Sequence, residues 1–255
     1  MAIRTVTLDR QKETAVYHIG SGVVWDSDAE AEYEECLLKA RILAPKQAPF
    51  ALLETLLWTP DDGYFLLQRH VERLRRSAVY FGLEVEESAV SETLLRAAHS
   101  LTEPSKVRLL LSVDSGQWTV ESAPLAAGQI PAPVRAGLAV APVQTDSLFL
   151  YHKTTQRDVY TQAKATRPDC DEVILWNERG EVTEASSANI VAQIAGEMVT
   201  PPLSCGLLAG TYREELLANG RLREKVLSKE DLLQADAIFL INAVRGWREV
   251  QFVDK

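Results

Sequence analysis

The stretch EVTEASSANI, residues 181–190, decides how the rest of the chain is read. Val182 and Thr183 carry a short β pattern, Glu184 closes it, and NIVAQI, residues 189–194, resumes as a second strand. Glutamate is a poor strand residue and a poor turn residue. A carboxylate at that reversal, followed at once by Ser186 and Ser187, therefore reads as a ligand for something cationic, with a solvated surface glutamate as the alternative.

The surrounding composition bounds the chain. Of 255 residues, 46% are hydrophobic and 25% charged, enough apolar material for one large core or two smaller ones. No apolar run approaches the roughly eighteen residues needed to cross a bilayer, and MAIRTVTLDRQ lacks the apolar centre of a secretory signal, so a cytoplasmic protein is expected. The net charge of -9 disfavours nucleic acid or an anionic membrane as partner and leaves room for a local basic pocket. Cys36, Cys170 and Cys205 lie far apart without a CxxC pair, which excludes a disulfide framework or a recognisable cysteine metal set. No GxGxxG or GxxxxGK[ST] loop supports a nucleotide.

Working outward, three segments separate by pattern. Residues 1–43 carry strand candidates at AIRTVTL and AVYHIG, a Gly20-Ser21-Gly22 turn and an acidic helical stretch, and the two prolines of residues 44–49 mark a linker. Residues 50–145 read as a small α+β domain: FALLETLLW, a turn at TPDDG, a strand at YFLL, helices at HVERLRRSAVYFGL and SETLLRAAHSL, strands at KVRLLLSVD and QWTVESA, then RAGLAVAPV. In the first helix Val71, Leu74 and Ala78 share a face, while Arg69, Glu72, Arg75 and Arg76 can stay wet. Residues 146–255 alternate short helices with strands and read as a larger, strand-rich domain ending on the buried strand AIFLINAV. The fold class expected is α+β to α/β.

LYHKTTQRDVY, residues 150–160, places Lys153 at a junction flanked by His152, Thr154 and Thr155. A lysine in a polar pocket loses basicity and its amine can attack a carbonyl; a solvated helix-start lysine is the alternative. Lys153 and Glu184 together suit pyridoxal phosphate, which needs a lysine for its Schiff base, a partner for its ring nitrogen and donors for its phosphate. Ser186, Ser187 and Asn189 would add hydrogen bonds. Gly210 running into a helix offers free N–H groups near Thr211 and Tyr212 for the phosphate, and Arg73 a forked, charged contact.

HVERL at 70–74, HKTTQRDVY at 152–160, EVTEASSANI at 181–190 and LLAGTYR at 207–213 resemble, in order and spacing, the class IV pyridoxal-phosphate-dependent aminotransferase family, over residues 50–250. The resemblance implies a class IV aminotransferase-like fold, a homodimer, the cofactor between a small and a large domain, Lys153 as Schiff-base lysine, Glu184 on the pyridine nitrogen, and Arg73 with the backbone of Thr211 and Tyr212 on the phosphate. Many relatives carry threonine where this chain has Tyr212, and a basic residue where it has Leu57.

FALLETLLW, FLINAVRGW and LLAGTYREELL are similar to the 4-amino-4-deoxychorismate lyase branch, which implies elimination of pyruvate to leave 4-aminobenzoate for folate biosynthesis, with Thr55 and Arg245 as candidate substrate contacts. An aminotransferase acting on a D-amino acid or a branched-chain amino acid is the alternative. Residues 1–43 resemble the C-terminal end of a chorismate-binding synthase component I, as in aminodeoxychorismate synthase. The resemblance implies a remnant or a longer synthase-lyase fusion. Glu32 and Glu35 match the magnesium ligands of those synthases but read here as a solvated acidic face, so no metal is expected. A non-catalytic module of such a synthase is the second alternative.

Overall fold

The computed structural model describes residues 5–12, 14–20, 25, 28–30, 32–33, 36, 48–125 and 133–254. The chain divides into two compact units, 1–48 and 49–255. In the first, β1 (Thr5–Asp9) and β2 (Thr14–His18) form an antiparallel hairpin, and Glu32 is helical. Glu35 and the Ser21-Gly22 part of the expected turn lie outside the described residues.

The second unit begins with a four-stranded antiparallel sheet ordered β4-β3-β5-β6, made by β3 (Ala51–Thr59), β4 (Gly63–Tyr64), β5 (Ser105–Ser112) and β6 (Trp118–Pro124). Period-two alternation sorts its faces. Leu52, Leu56, Val107, Leu109 and Leu111 point to one side and pack on Val71, Leu74 and Ala78 of the Leu67–Tyr80 helix, the face expected from helical spacing. Each such fully buried leucine or valine contributes roughly 1.5–3 kcal/mol. Leu53, Thr55 and Leu57 alternate to the other side, opposite Leu110, Arg108 and Lys106.

YFLL is not the strand expected. The strand ends at Tyr64, one further bond runs from Phe65 N–H to the Leu57 carbonyl at 2.9 Å, Leu66 takes a left-handed φ of 55°, and the helix starts at Leu67. A backbone turned that way cannot extend the ladder.

The larger sheet has eight strands in the order β12-β11-β10-β13-β14-β7-β8-β9. They are β7 (Val134–Leu138), β8 (Glu172–Trp176), β9 (Val182–Ala185), β10 (Asn189–Ile194), β11 (Glu197–Thr200), β12 (Arg223–Glu224), β13 (Ala237–Asn242) and β14 (Gly246–Phe252). The strand at 134–138 thus joins this sheet, in parallel with both β8 and β14. Only Ser186, Ser187 and Ala188 link β9, at one edge, to β10, third from the other edge. So short a link across so wide a sheet requires the sheet to curl, and Glu184 sits at the corner where it does. Helices Asp158–Ala165, Thr211–Ala218 and Lys229–Gln234 complete the unit. Among the described residues, no helix is long and apolar enough to cross a membrane.

Candidate active site

The backbone brings Lys153 to the four-stranded sheet. Leu53 N–H donates to the Lys153 carbonyl at 2.9 Å and Thr155 N–H to the Ala51 carbonyl at 2.9 Å, so residues 153–155 run as an extra partner along β3. Lys153 then lines a cavity of about 630 Å³ together with Glu184, Arg73, Asn189, Thr211 and Tyr212. Thr55, Ser187 and Arg245 line the same cavity, so every cofactor and substrate residue proposed from the sequence borders one space.

The polar surroundings of the lysine are not those its sequence neighbours suggest. His152 turns away, its ring 4.4 Å from Tyr80 and its Nδ1 3.0 Å from Ser77 Oγ, while the Thr155 hydroxyl accepts from Ala51 N–H. Burial, and after it the positive charge of Arg73, pull the Lys153 amine down to about 8, against the opposing pull of Glu54.

Glu184 is 4% exposed. Burial pushes its carboxyl up to about 7, while Tyr160, whose hydroxyl donates to Oε1 at 2.7 Å, and the Leu208 backbone hold it from rising further. Tyr160 itself is pushed well above its ordinary range by burial and by that carboxylate, and so keeps its proton. Arg157 lies 4.4 Å over the Tyr160 ring and donates to the Ser186 carbonyl at 2.5 Å, bracing the corner from beneath.

Arg73 is buried and grips Glu54 through two bonds, Nε to Oε1 at 2.9 Å and Nη2 to Oε2 at 2.6 Å, and donates from Nη1 to the Ala209 carbonyl at 3.0 Å. Glu54 also meets His70 Nδ1 at 2.7 Å, and His70 Nε2 lies 3.2 Å from the Thr211 hydroxyl. Burial opposes ionisation of Glu54, but Arg73 and His70 outweigh it and hold the carboxyl down at about 2. These contacts leave one hydrogen on each terminal nitrogen of Arg73 for another acceptor.

Gly210 caps the Thr211–Ala218 helix, and a Cβ there would sit 1.8 Å from Asn189 Oδ1. Asn189 in turn donates from Nδ2 to the Leu208 carbonyl at 2.9 Å, so the loop before the helix is pressed against β10. Tyr212 packs edge-on against Phe65. The hydroxyls of Ser186 and Ser187 both donate to Glu172, which Arg248 approaches at 3.4 Å. Their hydroxyl hydrogens are thus engaged by Glu172, which itself lines the cavity.

Lys106, Arg108, Arg157 and Tyr160 are among the cavity residues not singled out from the sequence for this site, as is His70. Arg108 lies directly across from Thr55 and Lys106 directly across from Leu57. The strand alternation of KVRLLLS carried a signal for this, since its two cations share one face, but the register against β3 did not.

A curled mixed sheet whose corner carboxyl shares a cavity with a buried amine, flanked by a helix-backed antiparallel sheet, is the fold of the type IV aminotransferases. The chain belongs to the class IV aminotransferase family: residues 51–253 match the family described as "Amino-transferase class IV". Members of this family depend on pyridoxal phosphate. Residues 1–45 match "chorismate binding enzyme".

The chain is 33% identical over 202 residues to the "Putative aminodeoxychorismate lyase" of Schizosaccharomyces pombe, covering 76% of this chain and 86% of that protein. It is 28% identical over 212 residues to the "Probable branched-chain-amino-acid aminotransferase" of Thermotoga maritima, covering 80% and 77%. Among solved structures, the "Putative amino-acid aminotransferase" of Mesorhizobium loti superposes with a TM-score of 0.73 at 35% identity, covering 80% of this chain and all of that one.

Proposed function

We propose that the chain is a pyridoxal-phosphate-dependent 4-amino-4-deoxychorismate lyase, releasing pyruvate and leaving 4-aminobenzoate. The observation that carries this reading over other activities of the family is the union, in one chain, of a segment matching chorismate binding enzymes with a class IV cavity. The similarity to the fission-yeast protein supports it.

The residues present fit the cofactor. Gly210, Thr211 and Tyr212 line the cavity at the start of the 211–218 helix, where the N–H groups left without a partner inside the helix favour a phosphate. Arg73 would add its remaining hydrogens, Lys153 would hold the aldehyde carbon, and Glu184 would accept from the ring nitrogen. When bound, the cofactor supplies an electron sink for charge released at the substrate carbon next to its nitrogen.

The chain's own groups do the rest. With its amine near 8, Lys153 is neutral in part of the molecules around neutral pH and removes the proton from the substrate carbon that bears the amino group. Glu184, ionised beside a cationic ring nitrogen, keeps that nitrogen protonated. The C–O bond between the neighbouring ring carbon and the enolpyruvyl oxygen then breaks, enolpyruvate leaves and takes up one proton to become pyruvate, and the substrate ring becomes aromatic without any net oxidation.

The substrate carries two carboxylates, and Leu57 offers neither a charge nor a donor. Lys106, across the strand pair from Leu57, and Arg108, across from Thr55, supply that charge from the neighbouring strand, and Arg245 lines the same cavity. The proposed enzyme works as a cytoplasmic homodimer.

The test is direct: supplied with aminodeoxychorismate, the protein should form 4-aminobenzoate and pyruvate in equal amounts. Turnover of D-alanine or a branched-chain amino acid with 2-oxoglutarate, with no 4-aminobenzoate formed, would favour the aminotransferase reading, which the Thermotoga and Mesorhizobium relatives support.

A further inference from the structure

The buried line Glu54, His70, Thr211 ends on the cavity wall, and its geometry fixes where the protons are. Glu54 is ionised and accepts from both Arg73 and His70, so His70 Nδ1 carries a hydrogen. Its Nε2, 3.2 Å from Thr211 Oγ1, then has two choices. As a neutral ring, His70 accepts the Thr211 hydroxyl proton, and the hydroxyl presents only lone pairs to the cavity. As a cation, His70 donates to Thr211, and the hydroxyl proton is free to point into the cavity.

A phosphate ester near neutral pH carries a charge of about -1.5 to -2 and offers acceptors only. Lone pairs from Thr211 would repel it, whereas a donated hydroxyl hydrogen makes a charge-assisted bond. Resting on the assignment of this wall to the cofactor's phosphate, we propose that phosphate binding at Gly210–Tyr212 is coupled to uptake of one proton by His70, a positioning residue that turns the Thr211 hydroxyl from the imidazole to the anion.

The groups facing His70 set the balance. Glu54 on β3 favours the cation; Arg73 on the same helix and Lys153 on the adjoining loop oppose it, and burial of the ring (1% exposed) opposes it most. Before the anion arrives, His70 is accordingly held below its ordinary value. A dianion beside Thr211, Arg73 and Lys153 cancels the opposing positive charge and leaves Glu54 to stabilise the imidazolium.

The experiment compares the affinity of the protein for pyridoxal 5'-phosphate with that for pyridoxal, read from the absorbance band of the lysine-bound aldehyde. Between about pH 7 and 9 the phosphate, with its second pKa near 6, is already ionised. Titration of Lys153 and Glu184 acts on both ligands and divides out of the ratio. The proposal predicts that the phosphate's advantage falls as pH rises, approaching tenfold per pH unit where a whole proton is taken up. It also predicts that Thr211→Ser keeps the slope, while Thr211→Val and His70→Gln flatten it. A flat ratio in the unaltered protein, or a slope that survives His70→Gln, overturns the coupling. Equal affinity for the two ligands at every pH overturns the phosphate assignment itself, a result distinct from loss of the slope.

Discussion

Replacing Tyr160 with phenylalanine removes the side-chain donor to Glu184 and leaves the Leu208 backbone donor in place. The lost bond is 2.7 Å long, between groups 8% and 4% exposed, and it ends on a carboxylate. A hydrogen bond to a charged group is worth about 1.5–3 kcal/mol, which is roughly one to two pKa units at about 1.4 kcal/mol each. Glu184, already raised by burial to about 7, should therefore titrate at roughly 8 or above in Tyr160→Phe. At pH 7.5 the ionised fraction would fall from about three quarters to about one quarter, and the affinity for pyridoxal phosphate by about threefold, recovering near pH 9. The assay is a carbon-13 NMR titration of labelled glutamate carboxyls, with Glu184→Gln assigning the resonance. A Glu184 titration in Tyr160→Phe that is unchanged, or shifted downward, would refute the argument that this hydroxyl holds the carboxyl's charge.

Three further outcomes follow from the same geometry. Because the folded-state value of Glu184, about 7, lies above its ordinary 4.5, ionising it opposes folding as pH rises through that window. Glu184→Gln should therefore stabilise the cofactor-free protein by up to about 3 kcal/mol at pH 8 and by little at pH 4, measured by urea unfolding. Gly210→Ala should displace Asn189 from its bond to Leu208 and lower stability by about 1–3 kcal/mol, with weaker phosphate-cofactor binding in the same preparation; retention of both would contradict the close packing. Arg108→Ala should raise KM for aminodeoxychorismate about tenfold or more, the size of a lost charged contact, with a smaller change in kcat. An unaltered KM would remove Arg108 from substrate recognition.

How much of this was legible beforehand depended on whether the signal was local. The apolar face of Val71, Leu74 and Ala78 and the glycine before Thr211 are read within a few residues and stand in the structure where the pattern placed them, while the short strand carrying Glu184 runs one residue past it, to Ala185. The strand Gly246–Phe252 went unread because GWREVQF alternates half-buried and charged positions with little apolar contrast. The short helix Lys229–Gln234 was missed although Ser228 and Asp231 form a capping box, a signal that was present. The partnership of Glu54 with Arg73 and His70 joins residues 16 and 19 positions apart across two elements, and the meeting of Lys106 with Leu57 depends on strand register. Register is set by the packed sheet as a whole and has no single-residue signature.

The central claim is that Lys153 and Glu184 serve one pyridoxal phosphate in one cavity. Its most direct test is the absorbance spectrum of purified protein incubated with pyridoxal 5'-phosphate. The account predicts a yellow protein, the band abolished by Lys153→Ala and its pH dependence altered by Glu184→Gln. A protein that stays colourless, or a band that survives the loss of Lys153, would contradict it.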